Sequence, residues 1–150
     1  MPKLYIPIIA VCCGVMAGCA SVHSFADISI TDERNLAQKL IEDDFSAFSQ
    51  FSKQFFSQRV SESFIPDKAS FLNELENSFF TALPIDMSFS LDKVLVKGNK
   101  LVVTFTWQKK VSLRVSNDLI LKEGMGEMVY IKENNKWLIY QVREDSLFTF

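Results

Sequence analysis

Cys19 closes the run Met16-Ala17-Gly18-Cys19, and its type and setting suit it to covalent chemistry better than any other residue of the chain. A thiol can form a thioether to a lipid, and two small residues ahead of it leave the backbone open to a peptidase. The stretch Leu4–Ala17 that leads into it is free of charge and follows a short basic start at Lys3. That is the n-region and h-region order of an export signal. Cys12 and Cys13 fit worse, because Val11 and Cys12 stand before them where a small residue is needed.

Other reactive groups are sparse. His23 is the lone histidine and lies near the start of the chain, so a zinc site lacks a second imidazole and a nucleophile lacks a base. No glycine-rich phosphate loop is present. Asp43-Asp44 could turn one carboxylate toward a pocket as a general base. The competing reading leaves both in solvent, since adjacent helical residues point about 100° apart. Glu127, beside Gly126, has the same two readings on a strand. No cofactor or metal is implied.

The run ending in Cys19 resembles the lipobox of bacterial lipoproteins, with Met16 where Leu is usual. The resemblance implies a diacylglycerol thioether on Cys19, cleavage that makes Cys19 the new N-terminus, and often a third acyl chain on its amino group. Two or more acyl chains anchor a protein stably. Ala20 lacks the Asp that retains such proteins at the inner membrane, which implies an outer-membrane protein facing the periplasm. Three alternatives compete: an ordinary signal cut after Ser24-Phe25-Ala26, an uncleaved membrane helix, and a chance cysteine in an apolar run.

The expected division is therefore a signal over 1–18, a lipidated tether over 19–30 and a folded domain over 31–150. The roughly 130 residues left after cleavage make one domain. The chain has 16 Lys and Arg against 18 Asp and Glu, and loss of Lys3 takes the balance to about −3. Such mild acidity argues against a nucleic-acid partner, which needs a basic face. With Cys12 and Cys13 removed and Cys19 lipidated, no disulfide can form, so the core rests on apolar packing, chiefly the 14 Phe.

The elements that must position any site follow from periodicity. Thr31-Asp32-Glu33 reads as a helix start, and Leu36, Leu40, Ile41, Phe45 and Phe48 recur at helical steps. Phe51, Phe55 and Phe56 continue to about Arg59 through a bend near Ser49–Ser52, and Ser61–Pro66 reads as a loop. Asp67 caps a second helix carrying Phe71, Leu72, Leu75, Phe79 and Leu83, which Pro84 stops. Strands follow: Met87–Val96, a Gly98-Asn99 turn, then the clean alternation Leu101, Val103, Phe105, Trp107. Lys109–Glu123 is expected to hold two short edge strands, Gly124-Met125-Gly126 a break, and Glu127–Lys132 and Lys136–Arg143 the closing hairpin around Asn134-Asn135. These elements predict an α+β domain, N-terminal helices packed on a curved antiparallel sheet.

That order, with Gly126-Glu127-Met128-Val129-Tyr130-Ile131 and Asn134-Asn135-Lys136-Trp137-Leu138-Ile139 at its end, resembles the NTF2-like (cystatin-like) superfamily over residues 31–148. The resemblance implies a cone in which a bent sheet wraps the first helix. It also spans isomerases, dehydratases, carriers and silent modules, and so decides no function. Phe105, Trp107, Tyr130, Trp137 and Tyr140 are the candidate pocket lining, against ordinary core packing. Lys109-Lys110, Arg114 and Lys122 read as a basic stripe or, alternatively, as solvated strand protection. The expectation is a membrane-anchored, non-catalytic binding or interaction module. Its partners are the membrane, through the acyl chains on Cys19, and a protein or a small apolar ligand. The alternative is a ligand carrier or enzyme using the cone.

Overall fold

The computed structural model describes residues 23–143 and 147–149. The signal, the Met16–Cys19 run and the start of the tether lie outside the described residues. Three helices, α1 (His23–Ser49), α2 (Lys53–Ser57) and α3 (Lys68–Thr81), accompany five strands. The strands are β1 (Val60–Ile65), β2 (Ala82–Lys97), β3 (Lys100–Leu113), β4 (Leu119–Glu133) and β5 (Lys136–Val142). They form one sheet in the order β1-β5-β4-β3-β2, antiparallel except for the parallel pairing of β1 with β5. The α+β architecture of helices on a curved sheet is as expected.

Helix α1 begins at His23, so residues 23–30 are helical and Thr31, expected as the helix start, lies inside it. No proline or glycine interrupts His23–Ser49, and nothing in the covalent geometry stops the helix earlier. Ala37, Leu40, Ile41, Asp44, Phe45 and Phe48 form its buried stripe. The expected bend is real. Phe51 takes a positive φ of 54°, and Ser52 caps α2 by accepting the Phe55 N–H. Asp67 caps α3 as expected, its carboxylate accepting the Ser70 N–H at 2.6 Å.

Four expectations are corrected. Ser61–Pro66 is not a loop, because Val60–Ile65 forms β1 and pairs with β5, with a cis Ile65–Pro66 peptide after it. Alternation is weak there because β1 lies at a sheet edge. Pro84 does not end α3, which stops at Thr81; it lies within β2, whose outer edge needs no ladder N–H from it. Lys109–Glu123 does not hold two short edge strands, since β3 runs through to Leu113 and β4 starts at Leu119. Gly124-Met125-Gly126 is not a break but the middle of β4, opposite Trp107 and Phe105.

Those glycines are spaces for rings. A Cβ on Gly124 would come within 2.9 Å of Trp107 Cζ2, and one on Gly126 within 3.1 Å of Phe105 Cζ. Bulges at Pro84/Asp86 and Leu91/Lys93 bend β2. Arg34 of α1 holds the second bend by donating to the Leu91 carbonyl at 2.7 Å. The turns match their residues: Gly98 has φ +63°, and Asn134 and Asn135 have φ +48° and +62°, as a tight I′ hairpin requires.

Candidate functional site

The concave face of the sheet is read most directly along β3, where Leu101, Val103, Phe105, Trp107, Lys109 and Val111 all point inward and are buried. Lys109 therefore fits neither the basic stripe nor the solvated strand proposed for it. Strand parity carries it to the core face while Lys110 turns out to solvent. Its ammonium, fully buried, donates to the carbonyls of Leu147 at 3.1 Å and Thr149 at 2.6 Å, and stands 5.3 Å from the centre of the Trp107 ring. Arg114 likewise serves the fold, its Nε donating to the Phe79 carbonyl at 2.7 Å.

Phe148 is driven into the cone between the two carbonyls that meet Lys109. Its ring centre lies 5.0 Å from Phe56, 5.3 Å from Phe48 and 6.1 Å from Phe45, in edge-to-face arrangements. Phe45 in turn meets Phe89 at 5.4 Å and Phe105 at 6.2 Å. The interior is thus filled by the protein's own rings. A groove of about 550 Å³ remains open beside it, between α3, the end of β1 and β5, lined by Phe64, Asp67, Phe71, Glu74, Phe148 and Thr149 among others.

One carboxylate enters the core. Asp44 is fully buried, against the reading that leaves both Asp43 and Asp44 in solvent. Its Oδ1 accepts from Arg59 Nε at 2.6 Å and its Oδ2 from the Tyr130 hydroxyl at 2.7 Å. Burial pushes the Asp44 carboxyl up to about 6, while Arg59 and Tyr130 oppose the shift. Burial also raises Tyr130 far above its ordinary value, reinforced by the Asp44 charge. For Arg59 burial acts the other way, and the Asp44 carboxylate outweighs it to hold the guanidinium charged. The groove beside α3 is not lined by Asp44.

Of the five residues named as pocket lining, Phe105, Trp107 and Tyr130 are brought together in the core. Trp137 packs against that core from its margin, and Tyr140 meets the Lys100 ammonium at 3.8 Å from its ring centre. Trp107 Nε1 is buried with no hydrogen-bond partner among the described residues. Glu127 pairs with Arg143 instead of entering the cone. Among the described residues no group of three or more His, Cys, Asp or Glu could hold a metal ion. No sequence pattern joins Asp44, Arg59, Lys109 and Phe148 as a set. Periodicity marks two of them: Asp44 sits on the Leu40–Phe48 stripe and Lys109 on the Leu101–Trp107 alternation. No local signal marks Phe148.

Neither a protein-family profile nor a curated protein sequence matches the chain. Solved structures do. A conserved protein from Planctomyces limnophilus superposes with a TM-score of 0.65 at 14% identity, over 74% of this chain and 94% of its own. An NTF2-like superfamily protein from Salmonella enterica gives 0.62 at 14% identity, over 76% and 90%. A ketosteroid isomerase-like protein from Erwinia carotovora gives 0.61 at 10% identity, over 70% and 88%. At these identities the likeness establishes the NTF2-like fold alone.

Proposed function

We propose that this NTF2-like cone is a non-catalytic binding module, carried at the periplasmic face of a bacterial outer membrane by acyl chains on Cys19. The observation that carries the reading is the occupied interior. Phe148 and its neighbours fill the space beside the inward strands, and the one buried carboxylate among the described residues, Asp44, has both oxygens committed to Arg59 and Tyr130. A general base needs a substrate proton within hydrogen-bond reach. Asp44 is enclosed by its own partners. The ketosteroid isomerase-like neighbour is a reminder that the fold can be fitted to catalysis, but function lies in the site and not in the fold.

The apolar run before Cys19 and the small residues at 17 and 18 support the anchor. The half-open groove along α3 supports binding, since it offers aromatic floor and polar rim together. Native mass spectrometry of the protein extracted from its host membrane tests the whole reading. The expected result is a mature chain beginning at a diacylated Cys19 with a bound molecule or protein that leaves chemically unchanged. A soluble chain beginning elsewhere, or a bound molecule converted during incubation, overturns it.

A further inference from the structure

Two tight turns meet at one end of the sheet. Lys97 and Lys100 stand opposite each other across the Gly98 turn. The Lys132 backbone N–H donates to the Asn99 carbonyl at 2.8 Å, so the β4–β5 turn lies beside the β2–β3 turn. Lys93 and Lys136 flank the same turns, and none of these five lysines makes an ion pair among the described residues. The pairing of Lys97 with Lys100 costs the sheet stability, since like charges directly opposite repel. Lys100 and Lys132 stand 3.8 Å and 6.0 Å from the ring centres of Tyr140 and Trp137. The strand acids nearby are engaged: Asp92 accepts from Thr106 Oγ1 at 3.0 Å and Glu133 from Ser61 Oγ at 2.9 Å. Leu95 and Val96, just before the turn, are 48% and 45% exposed.

The first helix starts from this end. Its Phe48 meets Phe148, whose neighbours Leu147 and Thr149 bond Lys109 toward the far end of β3. One turn earlier, Asp44 bonds Tyr130, whose register partner Leu101 adjoins Lys100. Earlier residues of α1 therefore run out past the turns, and Cys19 stands four residues before His23, a link of at most about 14 Å. We infer that the paired turns are a second, electrostatic contact with the membrane, a face for anionic phospholipid headgroups formed by Lys93, Lys97, Lys100, Lys132 and Lys136. This rests on the anchor reading and adds which face of the cone meets the bilayer. Acyl chains hold a domain near the membrane without orienting it, and a basic patch supplies the second signal. Tyr140 and Trp137 add rings with one apolar and one polar side, suited to the headgroup layer. The rise from His23 to Asp44 is about 32 Å, so the domain must lean for the turns to touch lipid. The exposed acids of α1, Asp32, Glu42 and Asp43, are repelled by the same surface, so the lean brings down the turns and not the helix. The groove bordered by Phe148 and Thr149 then lies toward the opposite end, away from the lipid.

The test uses the full chain with Cys19→Ala, which has no acyl chains, sedimented with vesicles of phosphatidylcholine alone or mixed in equal parts with phosphatidylglycerol. Binding to the anionic vesicles should be at least about tenfold tighter than to the neutral ones, and added salt should weaken it. Changing Lys97, Lys100, Lys132 and Lys136 together to Gln should erase the difference. Lys110→Gln with Lys122→Gln, at the other end of the same strands, should leave it intact. Equal binding to both vesicles, or an equal loss per charge from the two sets of variants, overturns the proposal. Lysine-dependent capture of an acidic protein without vesicle binding overturns it too, and makes the turns a protein-binding face. A diacylated Cys19 with no vesicle preference here removes the basic face and leaves the anchor. An unlipidated mature chain that still prefers anionic vesicles removes the anchor and leaves the face.

Discussion

The Tyr130 hydroxyl of β4 donates to Asp44 Oδ2 of α1 at 2.7 Å, joining the first helix to the centre of the sheet across 86 residues of sequence. Both groups are fully buried, and Arg59 closes the other side of the carboxylate. The contact sets the rotation of α1 about its axis. A one-residue turn of the helix would carry Asp44 away from both partners and bury an unpaired charge.

Tyr130→Phe removes one of the two bonds to Asp44 without opening a cavity. The expected loss is about 1–3 kcal/mol, the range for leaving a buried acceptor short of its donor. Urea denaturation of the variant against the parent measures it. A loss below a few tenths of a kcal/mol would mean that water reaches Asp44 Oδ2.

The buried carboxyl also gives the stability a pH signature. Burial raises Asp44 to about 6 in the folded state, whereas an unfolded Asp titrates near ~3.9. Between these values the folded chain binds the proton more tightly than the unfolded one, so stability falls as pH rises from about 4 to about 6. It is flat in this group's contribution above that window. The fall should be about 3 kcal/mol relative to Asp44→Asn, which cannot titrate. Denaturation curves of the two proteins from pH 4 to 7, compared as a difference, test the slope and its sign.

The ring-and-glycine pairing on β3 and β4 predicts coupled defects. Trp107 is 2% exposed, so Trp107→Ala should cost about 3–5 kcal/mol. Gly124→Ala would place its methyl 2.9 Å from the indole and should cost about 1–3 kcal/mol by overpacking. In Trp107→Phe the smaller ring makes room, so the two changes together should cost less than their sum. Additive costs in a double-mutant cycle would show that the methyl meets something other than the ring.

Cys19→Ala should release the protein from membranes into the soluble fraction and end incorporation of labelled fatty acid. A variant that stays membrane-bound or still takes label would move the anchor to another residue or to an uncleaved apolar helix.

The sequence by itself determined the α3 cap, the hairpin turns and the order of helices before the main strands, because these depend on neighbours in the chain. Asp67 starts α3 through a bond three residues away, and Gly98 and Asn135 turn hairpins by their own φ preferences. Strict alternation along β3 likewise chose its inward face. Only the tertiary structure decided that Gly124 and Gly126 lie in mid-strand, since the rings that need the space come from β3. The same holds for the buried charges. Asp44 and Lys109 occupy positions that periodicity assigns to the core, yet a charge is affordable there only with partners from distant segments. Arg59 and Tyr130 supply them for one, the Leu147 and Thr149 carbonyls for the other. Those pairings join residues 15 to 86 positions apart, so no local pattern could announce them.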